Sequence, residues 1–517
     1  MPLTPTLRYC LLLGIGFANA YGEDPDRLGD MEKELVAMRK LLLEQAAQNK
    51  RLSEEVEQLK RSLPAEPKSL VPPEQIMEQA PALPAKIAQQ DKDVIEVDSA
   101  KKAKEQGINV SLLNGDSHLT ITGDFNFMSM YSTRRPFVPG SPLYLLPLSS
   151  QGTSDFNGRQ SRLNFAFTGP DIGDWQVGAL AVFGFQNSLT AEGYGFGPYV
   201  AYGEIKNEDW RFAAGLQYDL INPRDPKTIP NTLLGDSGNI GAFRNQIRME
   251  HFIRPSEDWQ ATLQLALSDP ISTRIVDNSS VLEDDGHPNI EGRLNFGIGK
   301  TRDMAGHRTA RPIEIGVSGM FGGMRTLEGV ENGDLRQTSI KSWALGTDLH
   351  VALTDRIGFS GEFFGGEGIG EYLGGIGQSY NKITGDSIRA SGGWGELYAY
   401  LRDDLHLHLG YGIDVAERED LGSGSMLRNE TIYGTLVWEF NSRLQFSLRW
   451  TIDGPSILAP AEMNSLMVWF TCRALLGSFS SKIITMNPCK MMPALEYLIG
   501  ITATRSMQLR KAGLLST

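Results

Sequence analysis

Seven charged residues of the sequence are of types that could recognise a charged solute. They are Arg162, Arg244, Arg248, Glu250, Glu291, Arg293 and Arg449. An arginine guanidinium stays charged at physiological pH and binds a carboxylate through two parallel hydrogen bonds. The arginines therefore favour small anionic solutes, whereas the glutamates act in the opposite sense. The alternative is that the two signs pair with each other and only hold a wall together.

Other patterns that could do chemistry fail on their spacing. His406 and His408 would share one face of a strand, but no third metal ligand is close in sequence. The segment GIGKT (297–301) resembles a phosphate-binding loop, yet Leu294 stands where that loop needs its first glycine. The glycine-rich segment 366–377 follows a strand without leading into a clear helix. The sequence therefore predicts no enzyme, no cofactor and no metal.

The elements that position the charged residues are predicted to be strands. In RQSRLNFAFTG (159–169), Leu163, Phe165 and Phe167 alternate with more polar residues such as Arg162. A period of two places the apolar side chains on one face of a strand and the polar ones on the other. Segments of roughly ten residues repeat this pattern from about residue 118 onwards.

The connections between these strands predict how the strands are arranged. Short connections alternate with long ones, and the short ones include 170–174, 206–209, 254–258, 353–356, 402–404 and 440–443. Outer-membrane barrels have short turns at one end and long loops at the other, whereas a sandwich has no reason to sort its loops. The predicted fold is an all-β transmembrane barrel of about 16 antiparallel strands, with apolar side chains facing lipid and polar ones lining water. Rings of charged side chains set the selectivity of such pores.

The third long connection, residues 220–244, is among the longest and carries three prolines. Prolines stiffen a loop, and long loops in compact domains are often functional. We expect this loop to fold inward and narrow the lumen, the alternative being an exposed outer loop.

Charge and hydropathy exclude two other classes of protein. The chain of 517 residues has a formal net charge of -13 and a pI near 5.2. An acidic chain without a basic patch is not expected to bind nucleic acid. No run of about 18 apolar residues occurs, as a membrane-spanning helix would require.

The N-terminus is predicted to be removed and followed by a self-associating helix. Residues 1–20 combine Arg8, an apolar stretch and an A-x-A site at 18–20, which indicates a signal peptide rather than a buried helix. Residues 27–63 carry about five apolar heptads, typical of a parallel coiled coil. The predicted contact positions include Leu35, Leu42, Asn49, Leu52, Val56 and Leu59. The heptads do not choose dimer over trimer, and a lone amphipathic helix docked on its own domain is the alternative.

A linker, the barrel and an unusual tail complete the predicted organisation. Residues 64–114 are rich in Pro, Ala, Gln, Lys and Glu and are predicted to be a linker. The barrel is placed at 115–470. Residues 471–517 lose the alternation of the barrel, which a frameshift near Val468 would explain. A genuine C-terminal extension is the alternative.

The order of these features resembles the DcaP-like family of outer-membrane porins. The likeness rests on the heptads at 28–63, RQSRLNFAF (159–167), GLQYDLINP (215–223) and GNIGAFRNQIR (238–248). It implies a trimer with a periplasmic coiled coil, a 16-stranded barrel, and passive uptake of small hydrophilic solutes, favouring anions such as dicarboxylates. It also implies Arg244 and Arg248 as constriction residues. The related family of phosphate-selective porins is the alternative to this resemblance.

A second functional hypothesis comes from a different class of protein. The barrel could be a structural anchor in the outer membrane whose periplasmic coiled coil ties the membrane to the cell wall. Its expected partners are then cell wall and lipid, whereas a channel has small hydrophilic solutes as its partners. A lumen that does not conduct would discriminate the two hypotheses.

Overall fold

The alternating segments form strands in the computed structural model of the protein. It describes residues 108–112, 116–138, 140–145, 151–186, 193–229, 232–272, 282–331, 334–457 and 465–476. The described residues all belong to one compact unit. The predicted signal peptide, the predicted coiled coil with its contact positions, and the tail beyond residue 476 lie outside the described residues.

The described residues contain 21 strands, which we number along the chain. They are β1 Ile108–Leu112, β2 Ser117–Ser132, β3 Thr153–Asn157, β4 Arg162–Ile172, β5 Trp175–Gly184, β6 Gly197–Lys206, β7 Trp210–Tyr218, β8 Phe243–Ser256, β9 Trp259–Ser268, β10 Leu282–Asp284, β11 Asn289–Ile298, β12 Arg302–Met304, β13 Arg308–Ala310, β14 Ile313–Glu331, β15 Asp334–Ala352, β16 Ile357–Glu367, β17 Arg389–Arg402, β18 Leu405–Ala416, β19 Met426–Asn441, β20 Leu444–Ile457 and β21 Ser465–Leu476. Single-turn 3-10 helices lie at Gly370–Tyr372, Gly375–Gly377 and Arg418–Asp420. Among these residues, no helix is long and apolar enough to cross a membrane.

Sixteen of the strands form a closed antiparallel barrel. Each pairs with its neighbours in the order β2, β4, β5, β6, β7, β8, β9, β11, β14, β15, β16, β17, β18, β19, β20 and β21. The barrel closes because β21 also pairs with β2. The prediction of a barrel with about 16 strands is therefore confirmed. The strands β1, β3 and β10 extend this sheet at the ends of barrel strands, and β12 pairs with β13 as a separate hairpin.

Side chains alternate between the lumen and the outer face as the period of two requires. Arg162 lies opposite the buried Asp124, so the two share the lumenal face. The neighbouring Phe165 points outward, where its ring packs edge-on against Phe183. Along β8, Arg244 is fully buried whereas the outward-facing Ile247 is 68% exposed. The predicted two-faced character of these strands is confirmed.

Two predicted boundaries are corrected by the strand pairing. The segment Ile108–Leu112, assigned to the linker, is the strand β1, whose residues pair with the start of β2. The last barrel strand runs to Leu476 rather than ending at residue 470. The alternation of polar and apolar residues is weak in β21 because its lumenal face is partly apolar. Met467 and Trp469 point inward and pack against Met128 and Met130.

Candidate constriction in the barrel lumen

The connection between β7 and β8, residues 219–242, folds into the lumen, and we call it the inward loop. Its backbone donates hydrogen bonds to side chains on distant strands. The amide of Leu220 reaches Glu291 Oε2 on β11 at 2.7 Å. The amide of Asn222 reaches Ser318 Oγ on β14 at 3.2 Å. The amide of Lys227 reaches Glu396 on β17 at 2.8 Å. The prediction that this loop folds inward is confirmed.

Arg224 is the main side-chain anchor of the inward loop. Its Nε lies 2.7 Å from Asp348 Oδ1, and its Nη2 lies 3.3 Å from Glu314 Oε2. Its backbone amide donates to Glu362. The residue is 3% exposed, and its guanidinium is paired with buried carboxylates on two adjacent strands, β14 and β15, while Glu362 on β16 holds its backbone. Asp348 also binds Arg293 Nη2 at 3.0 Å, which completes the group that we call the Arg224 cluster.

Arg244 holds the base of the inward loop. Its Nε lies 3.1 Å from Asp219 Oδ1, and Asp219 accepts the amide hydrogen of Ala242 at 2.7 Å, which brings the two ends of the loop together. The guanidinium also lies over the Tyr372 ring at 3.7 Å and donates to the carbonyls of Pro270 and Glu371. Burial raises the pKa of Asp219 above its usual range, while the Arg244 guanidinium acts in the opposite direction.

The glycine-rich connection after β16 is a second lumenal loop and braces the first. The amide of Gly241 donates to the carbonyl of Tyr372 at 2.7 Å. On the other side, Gly375 and Ile376 donate their amides to the Asp414 carboxylate on β18. Tyr372 packs in a buried apolar cluster with residues of both loops and the wall. The glycines of 366–377 therefore lie in a tight loop that packs against the inward loop.

A separate group of charges lies on β6 to β8. Arg211 bridges Glu204 at 2.6 Å and Glu250 at 2.9 Å. Arg248 Nη1 lies 3.5 Å from the same Glu250. These side chains are at most 11% exposed, and each of them lies in an ion pair. The wall therefore carries buried, paired charges here rather than isolated ones.

The seven predicted charged residues thus fall into different environments. Arg244, Arg248, Arg293 and Glu250 are in ion pairs, and Glu291 accepts hydrogen bonds from Leu220, Ser268 and Tyr372. Arg162 lies over the ring of Tyr199 at 4.9 Å. Arg449 lies between two aromatic rings. The alternative of mutual pairing therefore describes the central arginines better than a ladder of free charges does.

The histidine pair considered as a metal site has another role. His406 Nδ1 lies 2.7 Å from His408 Nε2, and His408 Nδ1 lies 2.7 Å from Glu396 Oε1. The other oxygen of Glu396 accepts hydrogen bonds from the backbone amide of Lys227 and the hydroxyl of Tyr433. The pair therefore supports a carboxylate that anchors the inward loop. In the described ranges, no group of three or more His, Cys, Asp or Glu side chains is placed to hold a metal.

Four important residues were not predicted: Asp219, Arg224, Glu314 and Glu396. Glu314 and Glu396 lie on the polar faces of strands, so the period of two could have found them. Arg224 and Asp219 lie in a loop, where periodicity gives no information. The one local signal for Arg224 is its position between the two prolines of Pro-Arg-Asp-Pro, which fixes the backbone around it.

Comparisons with known proteins support the fold. No protein-family model matches the sequence, and no curated protein matches it either. The outer-membrane channel DcaP of Acinetobacter baumannii superposes with a TM-score of 0.56 at 11% identity, covering 72% of this chain and 99% of that one. An anion-selective porin from Comamonas acidovorans superposes with a TM-score of 0.46 at 10% identity, covering 69% and 99%. The first comparison confirms the predicted resemblance for the fold.

Proposed function

We propose that this protein is an outer-membrane porin, a passive diffusion channel for small hydrophilic solutes. The observation that carries the proposal is the inward loop, held across the lumen of a closed barrel by the buried Arg224 cluster. A closed barrel leaves no unpaired sheet edge, so it can lie in lipid. A loop that narrows a polar lumen sets an upper size on what passes. An anchor without transport has no need of such a loop.

We further propose a preference for anions such as dicarboxylates. Arg244 and Arg293 are paired with buried carboxylates, so they contribute little to the net electrostatic potential that a solute meets in the lumen. The support comes from two other cations, the partly exposed Arg162 on β4 and the exposed Lys227 on the inward loop. A lumenal cation in contact with water attracts anionic solutes and raises their local concentration.

The test is ion conductance of the purified full-length protein in a planar bilayer. We expect discrete openings and a reversal potential displaced towards anions in a salt gradient. The double substitution Arg162→Gln with Lys227→Gln is expected to reduce that displacement, because it removes two cations that are in contact with water. The readout is the reversal potential of single channels, measured at low salt where charges are least screened.

Lys300→Gln is the matched control, because Lys300 forms an exposed surface pair with Glu257 on a turn between strands. It should leave the reversal potential unchanged. A displacement towards cations would retain the porin and overturn the anion preference. A folded and inserted barrel that stays silent would overturn the channel and support the structural anchor.

We also propose that the protein is a homotrimer that associates through the outer face of β5 to β7. Small residues that point outward lie directly opposite each other in the register of these strands: Ala179, Ala181, Ala201, Gly203 and Ala214. Small side chains let two backbones approach closely within a membrane. Elsewhere the outer face carries large apolar residues such as Phe321, Leu345 and Phe363.

Gly203→Trp is expected to lower the temperature at which the trimer dissociates in detergent, because the new ring would separate the packed faces. A Cβ at Gly203 meets only a backbone oxygen at 3.9 Å, so the barrel itself tolerates the change. Gly365→Trp is the matched control: its Cβ meets nothing within 4 Å, and β16 lies nearly half way round the barrel. Electrophoresis of unheated and stepwise heated samples measures dissociation. Equal dissociation temperatures for both variants would contradict the proposed interface.

A further inference from the structure

A small cavity of about 20 Å³ lies between the inward loop, the loop after β2 and the seam where the barrel closes. Its polar lining includes Tyr144, Ser237, Thr431, Arg449, Asp453 and Trp469. Leu143, Leu234 and Met467 add apolar walls. A space of this size holds a single water-sized group and excludes a sugar or a nucleotide.

Arg449 lines this cavity, and two of its hydrogen-bond donors have no acceptor among the described residues. The residue is 3% exposed, and its Nε and Nη1 have no acceptor among the described residues. Trp469 is 1% exposed, and its Nε1 also lacks an acceptor within those residues. Buried donors are normally satisfied, so unpaired ones lining one cavity point to a missing acceptor.

The Asp453 carboxylate, which also lines the cavity, does not fill that role. The oxygens of Asp453 accept hydrogen bonds from the hydroxyls of Thr431 at 2.6 Å and Thr451 at 2.8 Å. The Arg449 guanidinium instead lies between the rings of Tyr433 and Trp469, at 5.1 and 5.0 Å from their centroids. Two ring faces stabilise a cation but accept none of its in-plane hydrogen bonds. A buried cation without a hydrogen-bonded counter-charge is costly.

We propose that this cavity binds one small monatomic anion, a halide such as chloride, through N–H groups of Arg449 and Trp469. The anion supplies the hydrogen-bond acceptor that these N–H groups lack. Because the cavity is lined by the inward loop as well as by β19, β20 and β21, the bound ion would tie that loop to the closing seam. The proposal holds whether or not the barrel conducts.

The direct test is anomalous diffraction from crystals of the full-length protein soaked in bromide. We expect a peak within hydrogen-bonding distance of Arg449 and Trp469, and its absence in Arg449→Gln. In solution, chloride should raise the thermal unfolding midpoint in detergent relative to gluconate at equal ionic strength, because a ligand that binds only the folded state stabilises it. Arg449→Gln should abolish that chloride-dependent rise.

Two further variants keep the test decisive. Trp469→Phe retains the ring and removes one N–H, so chloride binding should weaken by about tenfold or more, the usual worth of a charge-assisted hydrogen bond. Arg473→Gln is the matched control. Arg473 is a lumenal arginine on β21, the strand that also carries Trp469, and it pairs with Asp124 at 2.8 Å. It should retain the full chloride effect. Bromide peaks only at other sites, or a chloride effect that Trp469→Phe leaves intact, would overturn the proposal.

Discussion

Channels of the Arg224→Ala variant are expected to conduct more current than the unsubstituted protein and to fluctuate. The substitution removes the partner of Glu314 and one of the two partners of Asp348, both of them buried. Breaking one side of a buried ion pair typically costs about 3–5 kcal/mol because the remaining charge is left uncompensated. That cost falls on the bound state of the inward loop and shifts its equilibrium towards release by about a hundredfold or more. The measurement is the distribution of single-channel conductances.

Two comparisons separate loop release from other effects. Arg224→Lys keeps the charge but loses the planar fork, so it should give an intermediate conductance. Arg389→Ala removes an arginine that also pairs with a carboxylate, Asp420 at 2.8 Å, but at an exposed position where such pairs contribute little. It should leave conductance unchanged. Limited proteolysis within the inward loop provides a readout that does not require conduction. An inward loop as protected in Arg224→Ala as in the unsubstituted protein would contradict its role as anchor.

The barrel could be predicted from the sequence because its two faces meet two different environments. The local sequence of each strand therefore shows which face is lumenal and which faces lipid, as Arg162 and Phe165 do on β4. The alternation of short and long connections follows from the antiparallel order of the strands. Neither signal requires knowledge of which residues meet across the lumen.

The constriction could not be predicted in the same way, because its contacts join residues that are distant in sequence. Arg224 and Asp348 lie 124 residues apart, on a loop and a strand with no shared period. The period of two places Arg293 on a polar face, but its pairing with Asp348 across the intervening strand β14 depends on the register of β14 with both β11 and β15. The sequence therefore predicts which charged residues face the lumen, but it does not predict which of them form ion pairs with each other.

The end of the closing strand is not predictable from the sequence for a related physical reason. A lumenal face is expected to be polar, but where a loop packs against the lumenal wall, that part of the wall can be apolar. Met467 and Trp469 face inward and pack with Met128, Met130 and Leu145, the last of these on a lumenal segment after β2. Apolar residues on both faces of β21 thus hide its period of two.

A chain that ends after residue 464 is expected not to form a barrel, whereas a chain that ends after Leu476 is expected to fold. The strand β21 makes ten residue pairs with β20 and ten with β2. Without β21 both neighbours expose an edge, and each unsatisfied backbone group in lipid costs about several kcal/mol. Refolding both chains in detergent and comparing their mobility in unheated and heated electrophoresis measures the outcome.

A third chain, ending after residue 470, tests where the seam ends. It retains four of the ten residue pairs with β2, those of Met467 to Phe470, and loses the six from Thr471 to Leu476. If the barrel ended at residue 470, this chain would be as heat-resistant as the one ending after Leu476. We expect it instead to unfold at a much lower temperature, because the unpaired half of β2 would lie at one rim. A folded barrel from the chain ending after residue 464 would contradict the assignment of β21 as the closing strand.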